Sequence, residues 1–95
     1  MIPVKNEKEI KDAINDVCAT IEHNDRNYEE HSVFVGQEII KLIIYCSLTV
    51  RVSDYRLKFW NQMFNQYNLR IHSWAIRIED DRLLIILYME RFLRG

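Results

Sequence analysis

EIIKLIIYCSLTVRV, residues Glu38 to Val52, is the stretch whose reading decides the fold. Its even positions, Ile40, Leu42, Ile44, Cys46, Leu48, Val50 and Val52, are apolar without a break. Its odd positions, Ile39, Lys41, Ile43, Tyr45, Ser47, Thr49 and Arg51, are mixed. Alternation with period two suits a pleated strand, whose successive side chains point to opposite faces, and is useless to a helix. The β-branched content points the same way. The stretch therefore reads as one long strand near the middle of a sheet, with one fully apolar face and one half-apolar face.

Working outward, the residues just before it carry a short β-like run, Ser32-Val33-Phe34-Val35, within Tyr28 to Val35. Gly36-Gln37 follows, and Gly at the first central position of a two-residue loop signals a type II′ hairpin turn. A helix over Tyr28–Lys41 is the alternative, since Glu29, Glu30, Gln37 and Glu38 are good helix formers. Further upstream the period changes. Ile10, Ala13, Ile14, Val17, Cys18 and Ile21 recur at spacings of three and four, one stripe of a helix. Asn6 is placed to cap it, with Glu7 and Glu9 in the first turn, where the helix dipole favours acids. The polar cluster His23 to Asn27 ends it.

Downstream, Ser53 suits an N-cap for a helix over Asp54 to Gln66, with Leu57, Trp60, Met63, Phe64 and Tyr67 on one side. Leu69 to Glu79 reads as a strand, Asp80-Asp81 as a tight turn and Arg82 to Arg94 as a last strand. That last strand is apolar on both faces: Leu83, Ile85, Leu87, Met89 and Leu93 on one, Leu84, Ile86, Tyr88 and Phe92 on the other, the pattern of a strand covered on both sides. His31-Ser32-Val33-Phe34-Val35 and His72-Ser73-Trp74-Ala75-Ile76 form a weak internal echo. The expected fold is a single α+β domain over residues 1–95, with two helices packed on one face of a mostly antiparallel four-stranded sheet, order αββαββ. With Tyr28–Lys41 helical the order becomes αααββ or αβαββ.

A net charge of −1 excludes the strong basic field of a typical nucleic-acid binder. The charges are nevertheless segregated: nine acids against four bases up to Glu38, and nine bases against five acids beyond it. Such polarity either orients a partner or pairs up within the fold. Two cysteines without CxxC spacing make no disulfide scaffold, and no leader or membrane-length apolar run is visible, so a cytoplasmic location is expected.

Two helices cover one face of such a sheet. The other would hold Ile39, Ile43, Tyr45, Trp74, Leu84, Ile86, Tyr88 and Phe92, a larger apolar patch than monomers usually expose. A homodimer formed sheet to sheet, another protein or the N-terminal segment folding across is the expected cover, the alternative being a twisted sheet whose ends curl over their own side chains.

Glu22, Asp25, Glu29, Glu30 and Glu38 form a candidate acidic edge for a basic partner surface. The expected function is accordingly a non-enzymatic protein-binding module, a homodimeric inhibitor, immunity or antagonist-type protein that occludes a partner, with no cofactor and no metal. A nucleic-acid binder would instead use Arg56, Lys58, Arg70, Arg77 and Arg91 together with neighbouring aromatics, recognisable by salt-sensitive binding. A minimal hydrolase or nuclease would use His31, His72 and the Asp80-Asp81 turn. With two glycines in the chain there is no phosphate-cradling loop.

Overall fold

A computed structural model describes residues 6–48 and 54–92. In chain order the elements are α1 (Glu7–Asn24), β1 (Tyr28–Val35), β2 (Ile40–Ser47), α2 (Asp54–Asn65), β3 (Leu69–Glu79) and β4 (Arg82–Arg91). The strands form one antiparallel sheet in the order β1-β2-β4-β3. The fold class and the αββαββ order are those expected from the sequence. Tyr28–Lys41 is strand and hairpin, not helix.

The helix α1 begins where its capping chemistry says it should. The Asn6 side chain accepts the Glu9 amide at 2.8 Å, satisfying one of the donors a helix start leaves unpaired. Its stripe of Ile10, Ile14, Val17, Cys18 and Ile21 packs into one core with Leu57, Trp60 and Phe64 of α2. The sheet contributes Ile40, Leu42, Ile44 and Cys46 from β2, Leu83, Ile85, Leu87 and Met89 from β4, and Leu69 from β3. The Tyr67 hydroxyl, just past α2, donates to the Asp16 carboxylate at 2.8 Å and ties the two helices together.

Three local features depart from the period-two reading. First, β2 stops at Ser47, and Leu48 is exposed in a turn. Ser47 donates its amide to the Asn27 carbonyl and its hydroxyl to the Asn27 side chain, both at 2.9 Å. Thr49, Val50, Arg51, Val52 and the capping residue Ser53 lie outside the described residues, as do Met1 to Lys5 and, past the end of β4 at Arg91, Leu93, Arg94 and Gly95.

Second, the β1–β2 connection is not a two-residue type II′ turn. Val35 pairs with Ile40, so four residues make the loop, and Gly36 is not at positive φ. Glycine is required there for another reason: a Cβ at Gly36 would sit 2.8 Å from the Ile39 carbonyl oxygen, which accepts the Gly36 amide. The β3–β4 hairpin is the tight one. Glu79 pairs with Arg82 across Asp80 and Asp81, at φ 50° and 61°, the type I′ geometry matched to strand twist.

Third, both edge strands carry a bulge. Glu29 is the extra residue in β1 and His72 the extra residue in β3. An extra residue flips every later side chain to the other face. After His72, therefore, Trp74, Ile76 and Ile78 stand opposite Leu87, Ile85 and Leu83 on the helix side of the sheet.

Candidate protein-binding surfaces

The face of the sheet away from the helices is composed by register. Ser32 and Phe34 come from β1, Ile43 and Tyr45 from β2, Leu84, Ile86 and Tyr88 from β4, and Ser73, Ala75 and Arg77 from β3. No helix crosses this face among the described residues. Even so, Leu84 and Ile86 are only 6% and 5% exposed. They lie on a central strand, Leu84 between Tyr45 and Arg77, Ile86 between Ile43 and Ala75, and these side neighbours close over them. Ile43, Tyr45, Tyr88 and Phe92 are half-buried; Ile39 and Phe34 are exposed. The patch that remains is narrower than the eight residues read from the sequence. Trp74 does not belong to it, because the bulge at His72 carries its ring to the helix side, beside Leu57, Lys58 and Asn61 of α2.

Cations frame this face by standing over its rings. The Arg82 guanidinium lies 4.5 Å from the Tyr45 ring centre, Arg70 lies 5.4 Å from that of Phe92, and the Lys41 ammonium 5.9 Å from that of Phe34. Arg82 also reaches across β2 to Glu30 at 3.3 Å and Glu29 at 3.9 Å on β1. Arg70 is paired with Glu90 at 2.6 Å, and Arg77 stands 3.8 Å from Glu79.

The five acids of the candidate edge are not brought together. Asp25 pairs with Arg56 at 3.2 Å, and Glu29 and Glu30 share Arg82, so acids of the first half are matched by bases of the second. Glu22 is exposed near the end of α1. Glu38 sits in the β1–β2 loop, at the far end of a strand that spans roughly 23 Å at 3.3 Å per residue. The basic set is likewise scattered. Arg56 and Lys58 lie on α2, and Arg70 and Arg77 on the helix-free face. Arg91, at the end of β4, donates to the Gln37 carbonyl at 2.8 Å.

The residues of the minimal-hydrolase reading do not converge. His31 and His72 sit on opposite edges of the sheet, about three interstrand spacings or 14 Å apart. Asp80 and Asp81 lie roughly 26 Å along β3 from His72. Among the described residues, no three His, Cys, Asp or Glu side chains cluster as metal ligands. Cys18 and Cys46 are fully buried, and burial pushes their thiols up to about 12 and about 11. Both stay protonated at neutral pH, the wrong state for a nucleophile or a metal ligand.

His31 has a structural part that the sequence did not signal. Its Nδ1 faces the Tyr28 hydroxyl, and its Nε2 lies 2.7 Å from the Asn15 Oδ1 on α1. A carboxamide oxygen can only accept, so Nε2 carries the proton and Nδ1 accepts from Tyr28. Burial lowers the pKa of His31 below 6.5, while the nearby Glu22 charge opposes that shift. Because the native pKa is the lower one, the unfolded chain binds the proton more readily. This histidine's contribution to stability is complete above about pH 6.5 and is lost as pH falls toward the native value. Urea unfolding at pH 7.5 and 5.5 is expected to show lower stability at the acid value, with a smaller loss in His31→Gln.

A cleft of about 300 Å³ separates α1 from α2, with Ile21, Phe59, Trp60 and Met63 as its apolar lining and the Asp25–Arg56 pair beside them. No described helix is long and apolar enough to cross a membrane. Of the exposed large apolar residues, Phe34, Leu48 and Ile78 are those that sequence reasoning did not place at a candidate surface. For Ile78 the missing signal is the bulge, which leaves no mark in the residue pattern. Comparison with family models, curated proteins and solved structures returned no match.

Proposed function

We propose that this chain is a non-enzymatic protein-binding module that docks a partner on the helix-free face of its sheet. Supporting this is the composition of that face. Half-exposed Ile43, Tyr45, Tyr88 and Phe92 with exposed Phe34 are bordered by Arg70, Arg77, Arg82 and Lys41. Aromatic side chains with arginine are the usual anchors of protein interfaces. The border cations are already held over rings and beside acids, so little side-chain freedom is lost when a partner closes on them. This favours the sheet face over the acidic edge, three of whose five members are engaged inside the fold. A domain of this size acting by occlusion fits an inhibitor, immunity or antagonist-type role.

The test is affinity capture from the native cell with wild-type and Tyr88→Glu baits, followed by intact mass measurement. Circular dichroism checks that both baits are folded. A protein retained by wild type and reduced about tenfold with Tyr88→Glu supports the reading, since a central aromatic anchor is worth 1.4 kcal/mol or more. Equal retention by both baits overturns it. So does salt-sensitive binding of labelled nucleic-acid strands, the signature of phosphate contact.

A further inference from the structure

The two edges of the sheet are not equivalent. On β1, Val33 and Val35 pack against the core. On β3, the helix-side residues beyond the bulge, Trp74, Ile76 and Ile78, remain 46%, 40% and 69% exposed. The helix α2 reaches Ile71 through Asn61, and its Leu57 and Lys58 line an open cleft with Trp74. Ile76 and Ile78, farther along the strand, stay open to solvent.

The backbone of that segment is also presented to the outside. The Ile71 amide points off the edge to Asn61 Oδ1 at 2.7 Å. Ile71 opposes Met89 and Trp74 opposes Leu87, two residues in the same phase on β4. The amides and carbonyls of Trp74, Ile76 and Ile78 therefore point off the edge as well. Three large apolar side chains and an unpaired ladder run side by side, which is the arrangement sheets normally avoid leaving open.

We propose that the Ser73–Glu79 edge of β3 pairs antiparallel with the same segment of a second copy, about a two-fold axis at Ile76. This makes one continuous sheet of eight strands from two sheets of four. The segment is self-complementary in that register. Ile76 faces Ile76 of the second copy, and Trp74 faces Ile78, so all the exposed apolar residues of both edges meet on the helix side. On the opposite side Ser73 faces Glu79, a hydroxyl to a carboxylate, and Arg77 faces Ala75 with its own Glu79 3.8 Å away. No like charges stand directly opposed. Ile76 lies at the middle of the regular run that follows the bulge, so this register pairs the whole run and places no bulge in the seam. Pairing the two edges buries on the order of 1,000 Å², the lower limit of a specific interface, and a dissociation constant in the micromolar range is expected. The helix-free faces of both copies stay open, so the dimer does not depend on the partner-docking reading above.

Sedimentation velocity from about 1 µM to about 1 mM should show a monomer passing to a dimer. Ile76→Lys sets two ammonium groups against each other at the axis and should weaken the dimer by about a hundredfold or more. The monomer's thermal midpoint should stay unchanged, because this side chain faces solvent. Ile76→Cys should be joined into a covalent dimer by a short bis-thiol-reactive linker, since directly opposed Cβ atoms lie about 5 Å apart, a little more than a direct disulfide spans. Ser73→Cys should not, its counterpart being roughly 20 Å away along the seam. A chain that stays monomeric throughout overturns the inference. So does a dimer indifferent to Ile76→Lys whose Ile76→Cys form does not cross-link, which places the interface on the helix-free face instead.

Discussion

Phe64→Ala should lower the free energy of unfolding by about 3–5 kcal/mol. Phe64 has no exposed surface and is among the largest of the fully buried side chains. It sits on α2 in the core to which both helices and all four strands contribute. Removing the ring forfeits its burial and leaves a cavity that rigid neighbours fill only in part. A chain of 95 residues has a total stability of roughly 5–14 kcal/mol, so the loss is a large share of the whole. At about 4–8 °C of thermal midpoint per kcal/mol, the midpoint should fall by more than about 12 °C. Phe59→Ala, on the same helix but 47% exposed, should cost under about 1 kcal/mol. Urea unfolding of both variants, with unchanged m-values, checks the pair. Equal losses would mean that α2 does not present Phe64 to the core.

The contrast between these two phenylalanines shows what the chain makes legible. Spacing alone placed Phe64 with Leu57 and Trp60 on the packed side of a helix, because a periodic stripe has one way to be buried. The core of β2 was legible for the same reason, and so was the αββαββ order, although β2 stops at Ser47, where no turn residue in the sequence announces an end. What was not legible depends on interactions between strands. The bulge at His72 follows from how β3 meets β4, and nothing in Ile71-His72-Ser73 announces it. It moves Trp74 to the other face. The acids of the candidate edge look contiguous along the first third of the chain. Folding separates Glu38 from the rest by the length of β1 and hands Asp25, Glu29 and Glu30 to arginines that are distant in sequence. The sequence showed that β4 is apolar on both faces, but not that its flanking strands, rather than a partner, close over Leu84 and Ile86.

That lateral burial has an energetic consequence, and Ile86→Asp measures it. Ile86 is 5% exposed between Ile43 and Ala75, and no cationic residue stands directly opposite it in the register. A carboxylate there is desolvated without a directly opposed cation, and the loss of isoleucine packing adds to that cost. We expect a destabilisation of at least about 4 kcal/mol, against about 2–4 kcal/mol for Ile86→Ala. Ile43→Asp, one strand over and half-buried, keeps contact with water and should lose about 1–2 kcal/mol. If the helix-free face were held apolar only for a partner, all three variants would be tolerated in the isolated chain, and the aspartates would even raise its solubility. A steep loss for Ile86→Asp with a shallow one for Ile43→Asp means that the centre of this face belongs to the domain's own core. Under the proposed docking role, the contact then falls to the ring of aromatics and cations around it, Tyr45, Tyr88, Phe34 and Arg82, and their substitution is expected to weaken binding while leaving the fold intact.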